Sequence, residues 1–426
     1  MKILNVKKKI NYDLLNVINN KNIKLDNIIY KKVKNIINDV EKNGDLALEK
    51  YSKKFDKIEI KKNKLKLNLS PKKMNINIDQ EILKSFKKAI INVTKFHKKQ
   101  LPSDIIQKSK NIILKSQWKP IDSVGLYVPG GKAFYPSSLI MNVVPAKIAG
   151  VKRIVCVTPP SKEINPYFIA LLKELNIKEI YRVGGAQAIA ALAIGTKTIK
   201  PVDKIFGPGN SYVAEAKKQL FGKVGIDLIA GPSEIVVVAN KNNNPQWVAS
   251  DLMAQAEHDI NARSILITDS AKFADKVLSQ IKNLLKLSFN KNTIQKSLNN
   301  NGLIILLDKI DKCSNIVNKI APEHLHLHIK SYNKLLSNIN NAGGIFLGEY
   351  SVEAFGDYIV GTNHILPTSG AAKFSSGLGV LDFMKRNSVV KLNSQSFKAL
   401  KDDTENMANI EGLHAHKMSV KIRQKK

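Results

Sequence analysis

Residues 123–160 read SVGLYVPGGKAFYPSSLIMNVVPAKIAGVKRIVCVTPP. Two short apolar runs, SVGLYVP and RIVCVTPP, flank a glycine turn that opens a helical stretch. The same unit recurs down the chain. Further candidate strands are EIYRVGG, DKIFGPG, SEIVVVAN, RSILITD, GLIILLD, HLHLHI and GGIFLGE. Segments between them, such as INPYFIALLKEL and AKFADKVLSQIKNLL, carry helical periodicity. Strand, crossover helix, strand is the sequence form of a mostly parallel sheet covered on both faces. The strands fall into two groups, before and after about residue 232, which predicts an α/β protein with two sheets. Outside this region, YKKVKNIINDV and EILKSFKKAIINVTKF predict that residues 1–110 are helical, and the polar stretch after about residue 380 predicts a helical tail. No period of 20–50 residues recurs, which excludes a solenoid.

A length of 426 residues predicts two or three domains, and 43% hydrophobic residues supply packed interiors. The net charge of +33 invites a nucleic-acid partner, but only five of the 68 basic residues are arginine. Base and phosphate readers favour the guanidinium fork. Lysine spread along the whole chain reads as a solvated basic surface, so no nucleic-acid partner is expected. No stretch reaches the roughly 20 uninterrupted apolar residues of a membrane span. The opening MKILNVKKKINYDLLNVINN mixes Lys, Asn and Asp into its apolar positions and has no small-residue cleavage site, so no secretory signal is expected. Cys156 and Cys313 cannot build a disulfide framework, and Cys156 sits in an apolar run that predicts core. The expectation is a soluble, cytoplasmic protein without a membrane partner.

Three turns follow strands and open helices: YVPGGKA (127–133), RVGGAQAIA (182–190) and IFGPGNSYVAEA (205–216). Each offers backbone N–H groups near a helix N-terminus, which suits a pyrophosphate, and two carry an amide side chain, Gln187 and Asn210. None matches G-x-G-x-x-G or a P-loop, and a single such turn is ordinary strand-to-helix punctuation. Three in succession point to a nucleotide-binding domain. In SDLMAQAEHD, Gln255 and His258 are three apart, so a helix puts them on one face as two ligands of one metal would be, with Glu257 directed elsewhere. The plain alternative is an exposed helical face with a surface histidine. A His-bound metal needs further N or O donors from distant loops. Candidates are Asp357 and His364 in EAFGDYIVGTNHILPT and the histidines of EGLHAHK. In APEHLHLHI, His324, His326 and His328 alternate, so a strand puts all three on one face, either as a zinc-binding H-x-H pair or as the polar face of a half-buried strand. Pro322 favours an extended or turning backbone before Glu323 and His324, which at a strand mouth could reach one cavity as an acid–base pair. Spacing alone supports a metal-assisted α/β enzyme and leaves hydrolase and dehydrogenase both open.

The blocks GLYVPGGKAFYPSSLIMNVVPAKIAGV, VGGAQAIAALAIGT, VDKIFGPGNSYV, AGPSEIVVVA, DLMAQAEHD, APEHLHL, FGDYIVGTNHILPT and EGLHAHK resemble the signature blocks of the histidinol dehydrogenase family. They follow the family's order with similar spacing over most of residues 120–420. The resemblance implies oxidation of L-histidinol to L-histidine through L-histidinal with two NAD⁺ in succession, at the end of histidine biosynthesis. It implies one Zn²⁺ per subunit on Gln255, His258, Asp357 and His416, with Glu323 activating water and His324 as general base. Substrate contacts fall on Ser233, Gln255, His258, His324, Asp357, Glu411 and His416, and NAD⁺ contacts on Tyr127, Gln187 and Asn210. His326, His328, His364 and His414 match no catalytic position. A homodimer with shared active sites is implied, His416 and Glu411 coming from the partner chain. So are two Rossmann-like domains: 23–126 with 233–378 for zinc and substrate, and 127–232 for NAD⁺. Residues 1–22 would be an arm, and 379–426 a C-terminal module exchanged with the partner.

Overall fold

A computed structural model of the chain describes residues 1–6, 27–69, 78–130, 135–229 and 231–425. Every run read as a strand contains one, and the two groups form two parallel sheets. The first, in spatial order, is Glu179–Arg182, Arg153–Thr158, Ser123–Tyr127, Lys204–Phe206 and Gly225–Ile226. The second is Lys2–Asn5, Leu303–Leu306, Arg263–Thr268, Glu234–Val238, His324–Leu327 and Gly344–Leu347. In the smaller sheet the chain starts in the middle, runs to one edge, and returns to the other side of its first strand. In the larger, with Lys2–Asn5 at one edge, it begins again at Glu234–Val238, runs out to Leu303–Leu306 beside that edge strand, and returns to the other side of Glu234–Val238. That reversal is the topological switch of a doubly wound fold, between Ser123–Tyr127 and Lys204–Phe206 in one sheet and between Glu234–Val238 and His324–Leu327 in the other.

Both sheets are apolar on both faces. Val155 and Val157 join one core, while Cys156, next to them in sequence, joins the core across the sheet with Val124 and Leu126. In the larger sheet Val236 and Val238 face Leu325 and Leu327, and Ile235 and Val237 face the helix Pro245–Ala256. Both cysteines are buried, and burial pushes each thiol up to about 12. No described helix is long and apolar enough to cross a membrane.

The terminal segments hold the expected helices, Asn27–Asn43, Gln80–His97, Ser394–Ile410 and His414–Lys421, but they also carry strands that were not expected. Lys2–Asn5 is an edge strand of the larger sheet, pairing in parallel with Leu303–Leu306. Ile105–Ser109, Ile112–Pro120 and Met384–Leu392 form a separate antiparallel sheet. The outer two strands are largely exposed and the central one mostly half-buried, and all three mix Lys and Ser into their apolar positions, so no continuous apolar run announced them. Residues 7–22 of the expected arm lie outside the described residues. The expected grouping of 23–126 with 233–378 also differs from the packing. Val33, Ile36, Val40 and Leu48 share a core with Val155, Ala188 and Leu192 of the smaller-sheet half, and Ser123–Tyr127 is that sheet's central strand. A helix signals which face it buries but not which sheet receives that face.

Candidate active site

The chain enters the strand His324–Leu327 through a left-handed residue, Ala321 (φ 50°), and Pro322. Glu323 and His324 therefore stand at the amino end of a central strand. The general rule for open α/β sheets puts ligands at the carboxyl ends, so this half departs from it. The strand is also buried on both faces, which corrects the half-buried alternative: His324, His326 and His328 are 3%, 0% and 2% exposed. They face the helix Pro245–Ala256, which ends at the site as Gln255 and the following turn, where His258 N donates to Gln255 O.

His324 Nδ1 is surrounded by oxygen acceptors: Gln255 Oε1 at 3.0 Å, the Glu234 carbonyl at 3.2 Å and Glu353 Oε1 at 3.3 Å. Nδ1 thus carries the proton and donates it, which leaves Nε2 as the basic nitrogen. Nε2 faces Asp357 Oδ1 at 3.8 Å, and Nδ1 lies 3.8 Å from Glu323 Oε2. Burial pushes the imidazole down to about 3, so it is held neutral. The carboxyls around it move the other way. Burial pushes Asp357 up to about 6, partly offset by His258. Burial, then neighbouring carboxylates, hold Glu323 and Glu353 well above the usual range, although Glu323 accepts a hydrogen bond from Glu234 N at 2.9 Å. Negative charge is costly here, and a divalent cation would reverse that cost.

Glu353 is the residue that sequence reasoning missed. Glu353 and Asp357 are one helical turn apart, and ligand atoms of His324, Glu353 and Asp357 lie within 4.8 Å of one another. The signal was that spacing from an expected metal ligand.

A cleft of about 670 Å³ opens between the two halves, and Asn210, Ser233, His258, Glu323, His324 and Asp357 line it. Gln255 is fully buried behind His324, not on an exposed face. Of the proposed zinc set, Gln255, His258 and Asp357 converge on His324, and an amide oxygen, an imidazole and a carboxylate suit Zn²⁺ chemically. His416 and Glu411 do not line this cleft; they are exposed residues at the C-terminal helices Ser394–Ile410 and His414–Lys421. His364 does line it, with Nδ1 2.7 Å from the Asp357 carbonyl.

Two of the glycine turns, after Ser123–Tyr127 and Lys204–Phe206, flank the smaller sheet's switch point, and the third follows its edge strand Glu179–Arg182. Tyr127 Oη accepts from Gly185 N at 3.1 Å, at the N-terminus of the helix Gly185–Ile194. Gln187 in that first turn is 1% exposed, and neither of its amide atoms has a hydrogen-bond partner among the described residues, as suits a polar ligand. Asn210 caps the helix Ser211–Leu220, accepting from Tyr212 N and Val213 N. Gly207 (φ 106°) admits no side chain, since a Cβ would meet the Tyr127 carbonyl at 2.1 Å. Its carbonyl and N–H are held by Lys217 Nζ (2.6 Å) and Asp227 Oδ2 (2.7 Å). Residues 131–134 of the first turn lie outside the described residues.

The model of the family described as histidinol dehydrogenase matches residues 19–424. The chain belongs to the histidinol dehydrogenase family. Histidinol dehydrogenase of Agrobacterium fabrum is 47% identical over 394 residues, covering 92% of this chain and 91% of the relative. That of Listeria monocytogenes is 45% identical, covering 96% and 97%. The crystal structure of histidinol dehydrogenase from Elizabethkingia anophelis superposes with a TM-score of 0.92 at 34% identity, covering 100% of this chain and 98% of that one. Family membership makes the chain an oxidoreductase of histidine biosynthesis.

Proposed function

We propose that the chain carries out the four-electron oxidation of L-histidinol to L-histidine through L-histidinal, reducing two NAD⁺, with His324 as general base. The observation that carries this reading is the set of acceptors around His324 Nδ1, from which the tautomer is assigned. The Nδ1 proton is committed to Gln255, Glu234 and Glu353, so Nε2 is the basic atom, and the imidazole borders the cleft. Gln255, His258, Asp357 and a partner chain's His416 would hold Zn²⁺, and Tyr127, Gln187 and Asn210 would contact NAD⁺. When bound, zinc supplies a Lewis acid and an orienting template, and NAD⁺ accepts hydride.

In the first oxidation His324 Nε2 takes the hydroxyl proton as hydride leaves the carbinol carbon, giving the aldehyde. The growing imidazolium faces Glu323 and Glu353, at 3.8 and 3.3 Å from Nδ1, and their carboxylates stabilise it once ionised. In the second oxidation Glu323 takes a proton from the water that adds to the aldehyde. His324 sheds its first proton to solvent and takes the hydroxyl proton of the hydrate as hydride leaves for the second NAD⁺, giving the acid. Ser233 and the partner's Glu411 would position substrate, so the aldehyde stays in the cleft between the two steps.

Purified enzyme with Zn²⁺ should form about two NADH per histidinol, following the two-step balance above. His324→Gln should keep zinc and lose most turnover, typically 10²–10⁴-fold for a general base, while His258→Ala should lose zinc. A stoichiometry of one NADH, or undiminished turnover by His324→Gln, would overturn the assignment.

A further inference from the structure

His326 and His328 have no place in the reaction above, yet they are buried polar groups in an otherwise apolar layer. Both point at one carboxylate oxygen. Asp251 Oδ2 lies 3.1 Å from His326 Nδ1 and 2.7 Å from His328 Nε2. His326 Nε2 donates to the Gly348 carbonyl at 2.9 Å, and the two imidazole rings are 4.0 Å apart. Asp251 is 4% exposed. Burial pushes its carboxyl up, but its close contacts with His326 and His328 more than reverse this and hold it below its ordinary value.

The cluster has the composition of a metal site, but its spacing argues for protons. Donors around zinc at about 2.0–2.1 Å stand roughly 3.3 Å apart in a tetrahedron, and the His328–Asp251 contact at 2.7 Å is too short for that. It fits a charge-assisted hydrogen bond.

Its position gives it a consequence. Asp251 and Gln255 are one turn apart on the helix Pro245–Ala256, about 6 Å along the axis. His324 and His326 are two residues apart on the strand, about 6.6 Å. The two repeats nearly match, so helix and strand meet as a ladder: Gln255 on His324 at 3.0 Å, Asp251 on His326 and His328. An apolar contact slides at little cost, whereas a buried charge-assisted one tolerates only one register.

We propose that Asp251, His326 and His328 form a buried clamp that sets the helix Pro245–Ala256 on the strand His324–Leu327, making Asp251 a positioning residue for Gln255 and His258. The part concerning zinc rests on the ligand reading above. The clamp itself does not.

The test is Asp251→Asn in the full-length, zinc-loaded protein. The variant keeps shape and one acceptor oxygen but loses the charge. Zinc affinity and kcat should each fall on the order of 10–100-fold, as for groups that orient metal ligands. The Kd for NAD⁺ should stay unchanged, because its proposed contacts sit on the other sheet. With ¹⁵N-labelled histidine, slowly exchanging downfield imidazole N–H resonances of both rings should appear in the wild type, and that of His328 Nε2, which is bonded to Asp251, should vanish in the variant. Wild-type kcat and zinc affinity in a folded Asp251→Asn protein would overturn the proposal. So would a second, tightly held metal equivalent that the variant loses. If Asp251→Asn does not fold, His328→Asn removes one donor and should shift kcat and zinc affinity the same way, with no shift again overturning it. The resonances also separate this inference from the ligand reading. Their absence from the wild type sinks the clamp whether or not zinc binds, and a wild type that binds no zinc sinks the ligand set while the resonances still report the clamp.

Discussion

Glu353 shows how a single side chain can serve the site at the expense of the fold. It is 4% exposed and 3.3 Å from His324 Nδ1, and burial with nearby Asp357 and Glu323 raises its carboxyl well above the usual range. A group whose folded pKa is raised contributes stability that is fully present below its unfolded value and is lost as pH rises toward the folded value. Glu353→Gln should therefore raise the melting temperature of metal-free protein more at pH 8 than at pH 5, and should lower turnover in the loaded enzyme. A melting difference that does not change with pH would count against the raised carboxyl. Among single residues, type and spacing offered Gln255, Glu323, His324 and Asp357 as candidates among others, and the first, second and fourth of these lie 3.0, 3.8 and 3.8 Å from the His324 ring nitrogens. Glu353 escaped because its role depends on the His324 nitrogen it faces, and no spacing encodes which nitrogen that is.

At the scale of the element, the turn Gly207–Asn210, proposed to meet the nucleotide, is fixed from behind. Lys217 Nζ contacts both the Gly207 carbonyl and Asp227 Oδ1 (2.7 Å), and Asp227 Oδ2 accepts from Gly207 N. Both side chains are buried, at 4% and 3% exposure. Lys217→Met strands the Asp227 charge, so chemical denaturation should report a loss of about 3–5 kcal/mol, the usual cost of breaking a buried pair. The Kd for NAD⁺ should weaken in the same variant. A variant as stable as the wild type would show that Asp227 relaxes into solvent. The turn itself was legible in the sequence as glycine after a strand. The Lys–Asp brace was not, because Lys217 lies within the helix Ser211–Leu220 and Asp227 beyond it, and they meet the turn only when that helix packs back.

For the whole molecule, the C-terminal helices leave apolar side chains in the open: Met407 at 65%, Ile410 at 86%, Leu413 at 43% and Met418 at 56% exposure. Glu411 and His416 lie among them, away from the cleft of their own chain. Such a patch beside proposed ligands supports exchange of this module between two subunits. Mixing His324→Gln with His416→Ala chains, each inactive alone, should restore turnover after subunit exchange, since one site of the mixed dimer would hold both native histidines. No recovery despite mixed dimers on native mass spectrometry would place His416 in its own chain's site.

The sequence by itself determined the class of fold, since apolar runs of strand length between amphipathic helices can bury both faces only as parallel sheets. It also offered the residue types that we propose carry the chemistry. Only the tertiary structure decided that Asn27–Tyr51 belongs to the smaller sheet, that Lys2–Asn5 extends the larger one, and that His326 and His328 are locked onto Asp251 inside the core. Periodicity fixes which face of an element is buried, but the partner of that face is chosen by contacts between residues far apart in the chain, and those exist only once the chain has packed.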